Sequence, residues 1–139
     1  MNIKLTYTNP LETALTTFRN LFYPFVPVGH LKVWVLAPAL DNPDPNLAYY
    51  YDFSQSIEEY TRVFEQLDLP WKWQPVTLEN YKMIVQEIAH EREKGIHFPV
   101  VLNLCDGDEI NGAPGVSVIK ALESKKLIYT GATDYFYEI

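Results

Sequence analysis

The sequence is poor in cysteine, in basic residues and in long apolar runs, and each shortage excludes a class of protein. A single cysteine, Cys105, cannot form an intramolecular disulfide and is typical of a reducing compartment. Because 11 Lys and Arg face 18 Asp and Glu, the net charge is -7, which disfavours nucleic acid and anionic membranes as partners. No apolar run approaches the ~20 residues of a membrane span, and the first residues lack the pattern of a signal peptide. We therefore expect a cytoplasmic protein.

Apolar and aromatic residues, by contrast, are plentiful. Hydrophobic residues make up 47% of the chain and aromatic residues 14%, a composition that disfavours disorder. A chain of 139 residues corresponds to one domain, which can bury roughly two-thirds of its unfolded surface. We therefore expect one folded domain that needs no disulfide or metal to be stable.

Strand-like and helix-like spacings of apolar residues alternate along the chain. Strands are predicted at 31–36, 71–76, 98–104 and 127–129. Helices are predicted before Pro24, after a capping box at Ser56 and Glu59, from a cap at Thr77 to a stop at Gly95, and over 116–126. Such alternation implies right-handed crossovers and a parallel sheet. The predicted fold is α/β: a three-layer Rossmann-like domain with a mainly parallel four-stranded sheet, helices on both faces, and an additional N-terminal helix.

The stretch from Phe98 to Gly115 carries the strongest functional signal. A buried-strand pattern runs directly into three carboxylates, Asp106, Asp108 and Glu109, and then into small and turn-forming residues before a helix begins. In an open α/β sheet, ligands bind at loops that leave the carboxyl ends of strands. Adjacent carboxylates repel each other, so at least one gains from a positive neighbour. The loop is therefore a candidate site for a metal, an ammonium group or a cationic partner.

A second loop is expected at the same crevice. In the usual doubly wound order the first and third strands are neighbours, so the loops that begin at Ala37 and Cys105 would face each other. The first of these loops holds Asp41 and three prolines. It lacks the Gly and the distal Glu of an EF-hand calcium loop, so we interpret it as a Pro-restrained wall of the pocket, with Asp41 as a candidate substrate-binding residue.

A purely structural interpretation of the acidic residues stays open. The loop could be a solvated turn in which Asp106 caps its own loop and the glycines make the bend. The glycine spacing does not match a nucleotide-binding loop, and the carboxylates oppose a phosphate. Cys105 is expected to be an inert, partly buried thiol, because nearby acidic residues raise a thiol pKa. The histidines show no metal-ligand spacing.

Residues 98–132 resemble a known family. NLCDG at Asn103–Gly107, the following NGAPG, the helix ending ALESKK and the closing LIYTGA occur in an order and spacing similar to the N-terminal domain of D-alanine–D-alanine ligase-like ATP-grasp enzymes. The resemblance implies a pre-ATP-grasp α/β domain over residues 31–132. Residues 1–30 would then be an N-terminal helix and connector, and 133–139 a tail or the start of a linker.

The resemblance also implies a function. Asp106, Gly107, Asp108 and Glu109 would form part of a loop at the substrate end of the active site. The complete enzyme would join a carboxylate to an amine of an amino acid or peptide-like substrate through an acylphosphate, with ATP and magnesium. The Gly-Gly-x-Ser-x-Glu type of loop expected after the first strand is replaced here by APALDNPDPN.

The residues that would handle ATP have no counterpart in the sequence. Phosphoryl transfer needs a phosphate cradle and metal ligands, and neither pattern is present. We therefore expect a domain that is not catalytic alone and holds no cofactor of its own. It would work with an ATP-grasp domain in the same chain or in a partner subunit, and a homodimer is a further expectation.

Two functions of other classes stay open. A stand-alone flavodoxin-like ligand-binding or regulatory module would also place an acidic residue such as Asp106 after its third strand, although the first strand lacks an acidic pair. An assembly subunit could use the aromatic residues as an interface.

Overall fold

The computed structural model describes residues 30–40 and 52–131. In these ranges the chain forms β1 (Leu31–Pro38), α1 (Ser54–Gln66), β2 (Trp71–Val76), α2 (Tyr81–Lys94), β3 (Phe98–Asn103), α3 (Val116–Ser124) and β4 (Ile128–Gly131). A short 3-10 turn, Glu109–Asn111, lies between β3 and α3. The helix predicted before Pro24 and the candidate residue Asp41 both fall outside the described residues.

The four strands form one parallel sheet in the order β2-β1-β3-β4. The central strands β1 and β3 pair from Leu31 opposite Phe98 to Leu36 opposite Asn103. The predicted α/β class and the predicted adjacency of the first and third strands are both confirmed. Because β2 and β3 lie on opposite sides of β1, the strand order reverses between β1 and β3, and their carboxyl ends form the switch point of the sheet.

Helices cover both faces of the sheet, and alternate residues of β1 supply the two cores. Val33 and Val35 pack with Val63 and Phe64 of α1 on one face. The intervening residues of β1 pack on the other face against a cluster from α2 and α3 that includes Ile84, Val85, Ile88, Val118 and Leu122. This division follows from the two-residue period of a strand. The three predicted layers are therefore present.

The aromatic residues of β2 belong to the α1 layer. The ring centroids of Trp71 and Phe64 are 5.0 Å apart, and those of Trp73 and Tyr60 are 5.9 Å apart. These distances are typical of aromatic pairs inside proteins, which contribute beyond their buried area. The two tryptophans thus hold the edge strand against its helix.

The start of α1 differs from its prediction. The capping box at Ser56 and Glu59 is wrong, because the helix already begins at Ser54. The Asp52 carboxylate accepts hydrogen bonds from the backbone N–H and the hydroxyl of Ser54 (3.1 Å to the nitrogen), which lowers the pKa of Asp52. The N-cap residue of α1 is Phe53, whose side chain makes no capping hydrogen bond, and Asp52 contacts only the first helical residue.

The C-terminal end of α2 follows the sequence more closely than its start. Thr77 accepts hydrogen bonds from the amides of Glu79 and Asn80, but it organises a turn, and α2 starts only at Tyr81. Gly95 ends α2 in the left-handed conformation (φ 70°), as predicted. Among residues 30–40 and 52–131, no helix combines the length and apolar character that crossing a bilayer requires.

Candidate functional site

The candidate site is built on the loop from Leu104 to Gly115, here called the acidic loop. It leaves the carboxyl end of β3 in a direction fixed by two hydrogen bonds. The amide of Leu104 donates to the carbonyl of Leu36 (2.9 Å), and the amide of Cys105 donates to Oδ1 of Asn103 (3.0 Å). Because Asn103 is buried, its side chain is a fixed acceptor. The loop therefore begins at the switch point between β1 and β3.

The acidic loop is closed on itself by its own backbone. The amide of Gly107 donates to the carbonyl of Pro114 (2.9 Å), and the amide of Ala113 donates to the carbonyl of Asp108 (3.3 Å). A Cβ atom on Gly107 would lie only 2.5 Å from the Cβ of Ala113, so only glycine fits at this close approach. The loop thus has a defined shape before any ligand binds, which favours binding at low entropic cost.

Asp108 serves the loop itself. Its Oδ1 accepts from the amide of Ile110 (3.0 Å), and its Oδ2 accepts from Nδ2 of Asn111 (2.7 Å). These bonds cap the 3-10 turn that starts at Glu109. The capping role that the structural interpretation gave to Asp106 therefore belongs to Asp108, because Asp108 directly precedes the turn whose amides it satisfies.

Glu109 caps the following helix. Its Oε2 accepts from the amides of Gly115 (3.1 Å) and Ser117 (3.2 Å), and its Oε1 accepts from the Ser117 hydroxyl (2.6 Å). A carboxylate at a helix N-terminus satisfies free amides and interacts favourably with the helix dipole. Sequence patterns for caps join residues about three positions apart. The contact between Glu109 and Ser117 spans eight, so no such pattern identifies it.

Asp106 is the one carboxylate of the acidic loop that has no hydrogen-bond partner among residues 30–40 and 52–131. It is exposed, and among the described residues no side chain or amide donates a hydrogen bond to it. It lines a surface cleft of about 500 Å³ together with Gly107, Asp108, Glu109, Ile110 and Val116. Ile110 is 94% exposed at the rim of this cleft. A preformed cleft with one uncommitted carboxylate can accept hydrogen bonds from an ammonium group, beside an apolar contact.

The three carboxylates do not act as one metal-ligand set. Asp108 and Glu109 already accept from N–H and O–H donors, and those donors oppose a cation at the same oxygens. Within the part of the chain that the structure describes, no group of three or more His, Cys, Asp or Glu side chains is placed to hold a metal ion. Asp41, the other candidate, lies outside that part.

Cys105 lies beneath the acidic loop and is fully buried. Its Sγ donates to the carbonyl of Leu36 at 3.7 Å. Burial, with a smaller contribution from the neighbouring Asp106 carboxylate, raises the pKa of the thiol to about 12. The raised pKa that the sequence predicts is confirmed, but the thiol is fully rather than partly buried, and burial rather than the acidic neighbours is the larger cause.

The two motifs of the family resemblance meet at the end of β4. Gly131 pairs with Asn103 in the sheet register. Gly131 has φ 102°, and a Cβ atom there would lie 2.1 Å from the carbonyl oxygen of Asn103. The Thr-Gly pair that ends β4 and the Asn before the acidic loop are therefore coupled by a backbone contact that only glycine allows.

The geometry of these residues is the basis for any assignment of function. Comparisons of the chain with protein-family models, with curated proteins and with solved structures found no match.

Proposed function

We propose that this chain is the substrate-side domain of an ATP-dependent carboxylate–amine ligase that resembles D-alanine–D-alanine ligase, and that it is not catalytic alone. The observation that carries the proposal is the preformed acidic loop at the switch point between β1 and β3, with Asp106 uncommitted in a cleft. A ligase of this class needs a rigid wall that holds an amino acid while another domain activates a carboxylate.

Asp106 is proposed to bind the amino group of an amino acid or peptide-like substrate. A charge-assisted hydrogen bond of this kind contributes roughly 1.5–3 kcal/mol where solvent is excluded. Asp108 and Glu109 act as positioning residues, since their oxygens hold the 3-10 turn and the start of α3. Asp41, which follows β1 in the sequence, is proposed as a further substrate-binding residue.

The resemblance to the ligase family gains support from the packing of its motif residues. Three motif residues each meet a geometric requirement of this fold. Asn103 supplies a buried acceptor, Gly107 allows a close approach to Ala113, and Gly131 allows a close approach to Asn103. Together these residues set the direction and shape of the acidic loop. The motif order NLCDG, NGAPG and LIYTGA therefore corresponds to one structural unit at the candidate site.

ATP and magnesium are proposed to bind outside the described part of this chain. The N-terminus of α3 is the natural phosphate position next to the acidic loop, but the Glu109 carboxylate fills it and would repel a phosphate. The residues at this position do not fit a nucleotide. We therefore propose that an ATP-grasp domain, in the same chain or in a partner subunit, supplies phosphate and metal ligands.

The proposal is tested by titrating the isotopically labelled chain with D-alanine and related amino acids while recording amide chemical shifts. We expect saturable shifts confined to the acidic loop, and their loss in Asp106→Asn. Asp68→Asn is the matched control. It removes an exposed carboxylate elsewhere, and asparagine tolerates the left-handed φ of 52° at that position. Equal binding by Asp106→Asn and the unchanged chain would refute the role of Asp106.

The strand order favours one alternative function. The order β2-β1-β3-β4 is also that of flavodoxin-like folds, which bind ligands at the same switch point. A stand-alone ligand-binding or regulatory module of that type would respond to magnesium through Asp106 and Asp41. Selective magnesium-induced shifts at both residues, without any response to amino acids, would favour this alternative over the ligase domain.

A further inference from the structure

A groove of about 390 Å³ runs between α2 and α3, on the outer side of the helix layer. Its lining includes apolar surface from Tyr81, Val85 and Ala121, which pack on or belong to the core beneath. Three lysines, Lys82, Lys120 and Lys125, also line it. The groove therefore combines apolar contact area with a cationic border.

The charge of this groove is opposite to that of the chain. Acidic residues outnumber basic ones by 18 to 11 overall, yet no Asp or Glu lines the groove. Among the described residues, no carboxylate forms an ion pair with any of its three lysines. Three lysine ammonium groups that line one groove without a carboxylate in its described lining favour the binding of an anionic ligand.

Fixed contacts hold both ends of the groove. At the end near the helix C-termini, Nη1 and Nη2 of Arg92 donate to the carbonyls of Lys126 (2.7 Å) and Lys125 (2.8 Å). At the other end, Ser117 is held by the Glu109 carboxylate. The Arg92 contacts therefore join α2 to the residues that follow α3, and the Glu109 contacts fix the start of α3, so both helices are held in place before an occupant binds.

We propose that this groove binds an acidic peptide segment of a protein partner, with one apolar side chain inserted between the helices and carboxylates facing the lysines. An apolar anchor ringed by polar contacts is the usual arrangement of a peptide in a helix groove. Nucleic acid is disfavoured because the net charge of -7 repels a phosphate backbone. Peptide binding in this groove does not depend on amino-acid binding at the acidic loop, and the two are tested by different ligands.

The test uses a fluorescently labelled peptide that alternates glutamate with leucine and phenylalanine, and anisotropy as the readout. We expect Lys82→Gln with Lys120→Gln to weaken binding about fivefold, since two exposed ion pairs with the peptide are removed. Arg62→Gln with Lys94→Gln is the matched control, because it removes the same charge at exposed positions outside the groove and should change affinity less than about twofold. Amide shifts should map to α2 and α3.

Four results would overturn the proposal. Equal weakening in both double variants would show general charge attraction. Equal binding of a peptide whose leucines and phenylalanines are replaced by alanine would show that no apolar anchor enters. Equal competition by a single-stranded oligonucleotide would show a general anion surface. If the chain self-associated and the Lys82→Gln with Lys120→Gln variant did not, the occupant of the groove would be a second copy of the chain.

Discussion

At the scale of single residues, the Glu109 carboxylate links the acidic loop to α3 through three hydrogen bonds. We expect Glu109→Ala to lower the free energy of unfolding by about 2 kcal/mol, because it removes a helix cap and leaves two amides without that acceptor. Urea unfolding measures this change. Glu87→Ala, at an exposed position of α2, is the control and should change stability by less than about 0.5 kcal/mol. An equal effect of the two substitutions would contradict the cap.

The buried thiol of Cys105 gives a second residue-scale prediction. In the folded chain its pKa is raised from 9.0 to about 12, so the thiol stays neutral where the unfolded thiol ionises. The stability that this group contributes is therefore complete below pH 9 and is lost as the pH rises towards 12. Between pH 9 and 12 we expect the unfolding free energy of the unchanged chain to fall relative to that of Cys105→Ala. A difference that does not vary with pH would be inconsistent with the raised pKa.

A substitution of Gly131 tests the close contact between the end of β4 and Asn103. Alanine there would meet the carbonyl oxygen of Asn103 as well as adopting a positive φ, whereas alanine at Gly112 (φ 87°) meets no atom within 4 Å. We expect Gly131→Ala to destabilise the fold by more than about 3 kcal/mol and Gly112→Ala by about 1 kcal/mol. Thermal and urea unfolding compare the two. Equal losses would mean that only the φ angle matters.

At the scale of elements, Arg92 joins the C-terminal ends of α2 and α3 by donating to the carbonyls of Lys125 and Lys126. We expect Arg92→Ala to accelerate amide hydrogen exchange in the last turn of α3 and at the start of β4, and to lower stability by about 1 kcal/mol. Lys94→Ala, two positions along α2, is the control and should leave exchange there unchanged. Unaltered exchange in Arg92→Ala would show that apolar packing alone sets the helix spacing.

Elements were more predictable from the sequence than their ends. The Trp71–Val76 strand and the Gly95 stop match their predictions, because alternation and a left-handed glycine act locally. The predicted start of α1 was wrong, because the helix already begins at Ser54 and the spacing of Ser56 and Glu59 does not exclude an earlier start. Lys125 and Lys126 were expected in the last turn of α3, but that helix already ends at Ser124. Caps depend on geometry within one or two residues, which spacing does not resolve.

The position of the candidate site was predictable from the sequence, but the roles of its individual carboxylates were not. A strand followed by carboxylates locates the acidic loop because parallel strands end at one edge of the sheet. The sequence does not show which carboxylates the protein uses itself. Asp108 accepts hydrogen bonds from the turn that follows it, and Glu109 accepts from Ser117, eight positions along the chain. Of these three carboxylates, Asp106 is the one that accepts no hydrogen bond from the described residues. The groove between α2 and α3 was not predicted, since Lys82 and Lys120 belong to different helices.

At the scale of the whole molecule, the fold separates two surfaces of opposite character. The carboxyl edge of the sheet presents the acidic cleft with Asp106, and the outer helix layer presents the groove with its three lysines. The first is proposed to hold an amine-bearing substrate, and the second an acidic peptide. In a ligase assembly this arrangement would let the domain contact a partner without covering the substrate cleft.

The central claim is that the acidic loop recognises an amino group through Asp106. The most direct measurement compares the affinity of the chain for D-alanine amide, which keeps a charged amine, with that for N-acetyl-D-alanine, which does not, by amide shift titration. The account predicts saturable binding of D-alanine amide at the acidic loop, lost in Asp106→Asn, and no binding of N-acetyl-D-alanine there. Binding of N-acetyl-D-alanine as strong as that of D-alanine amide would contradict the account.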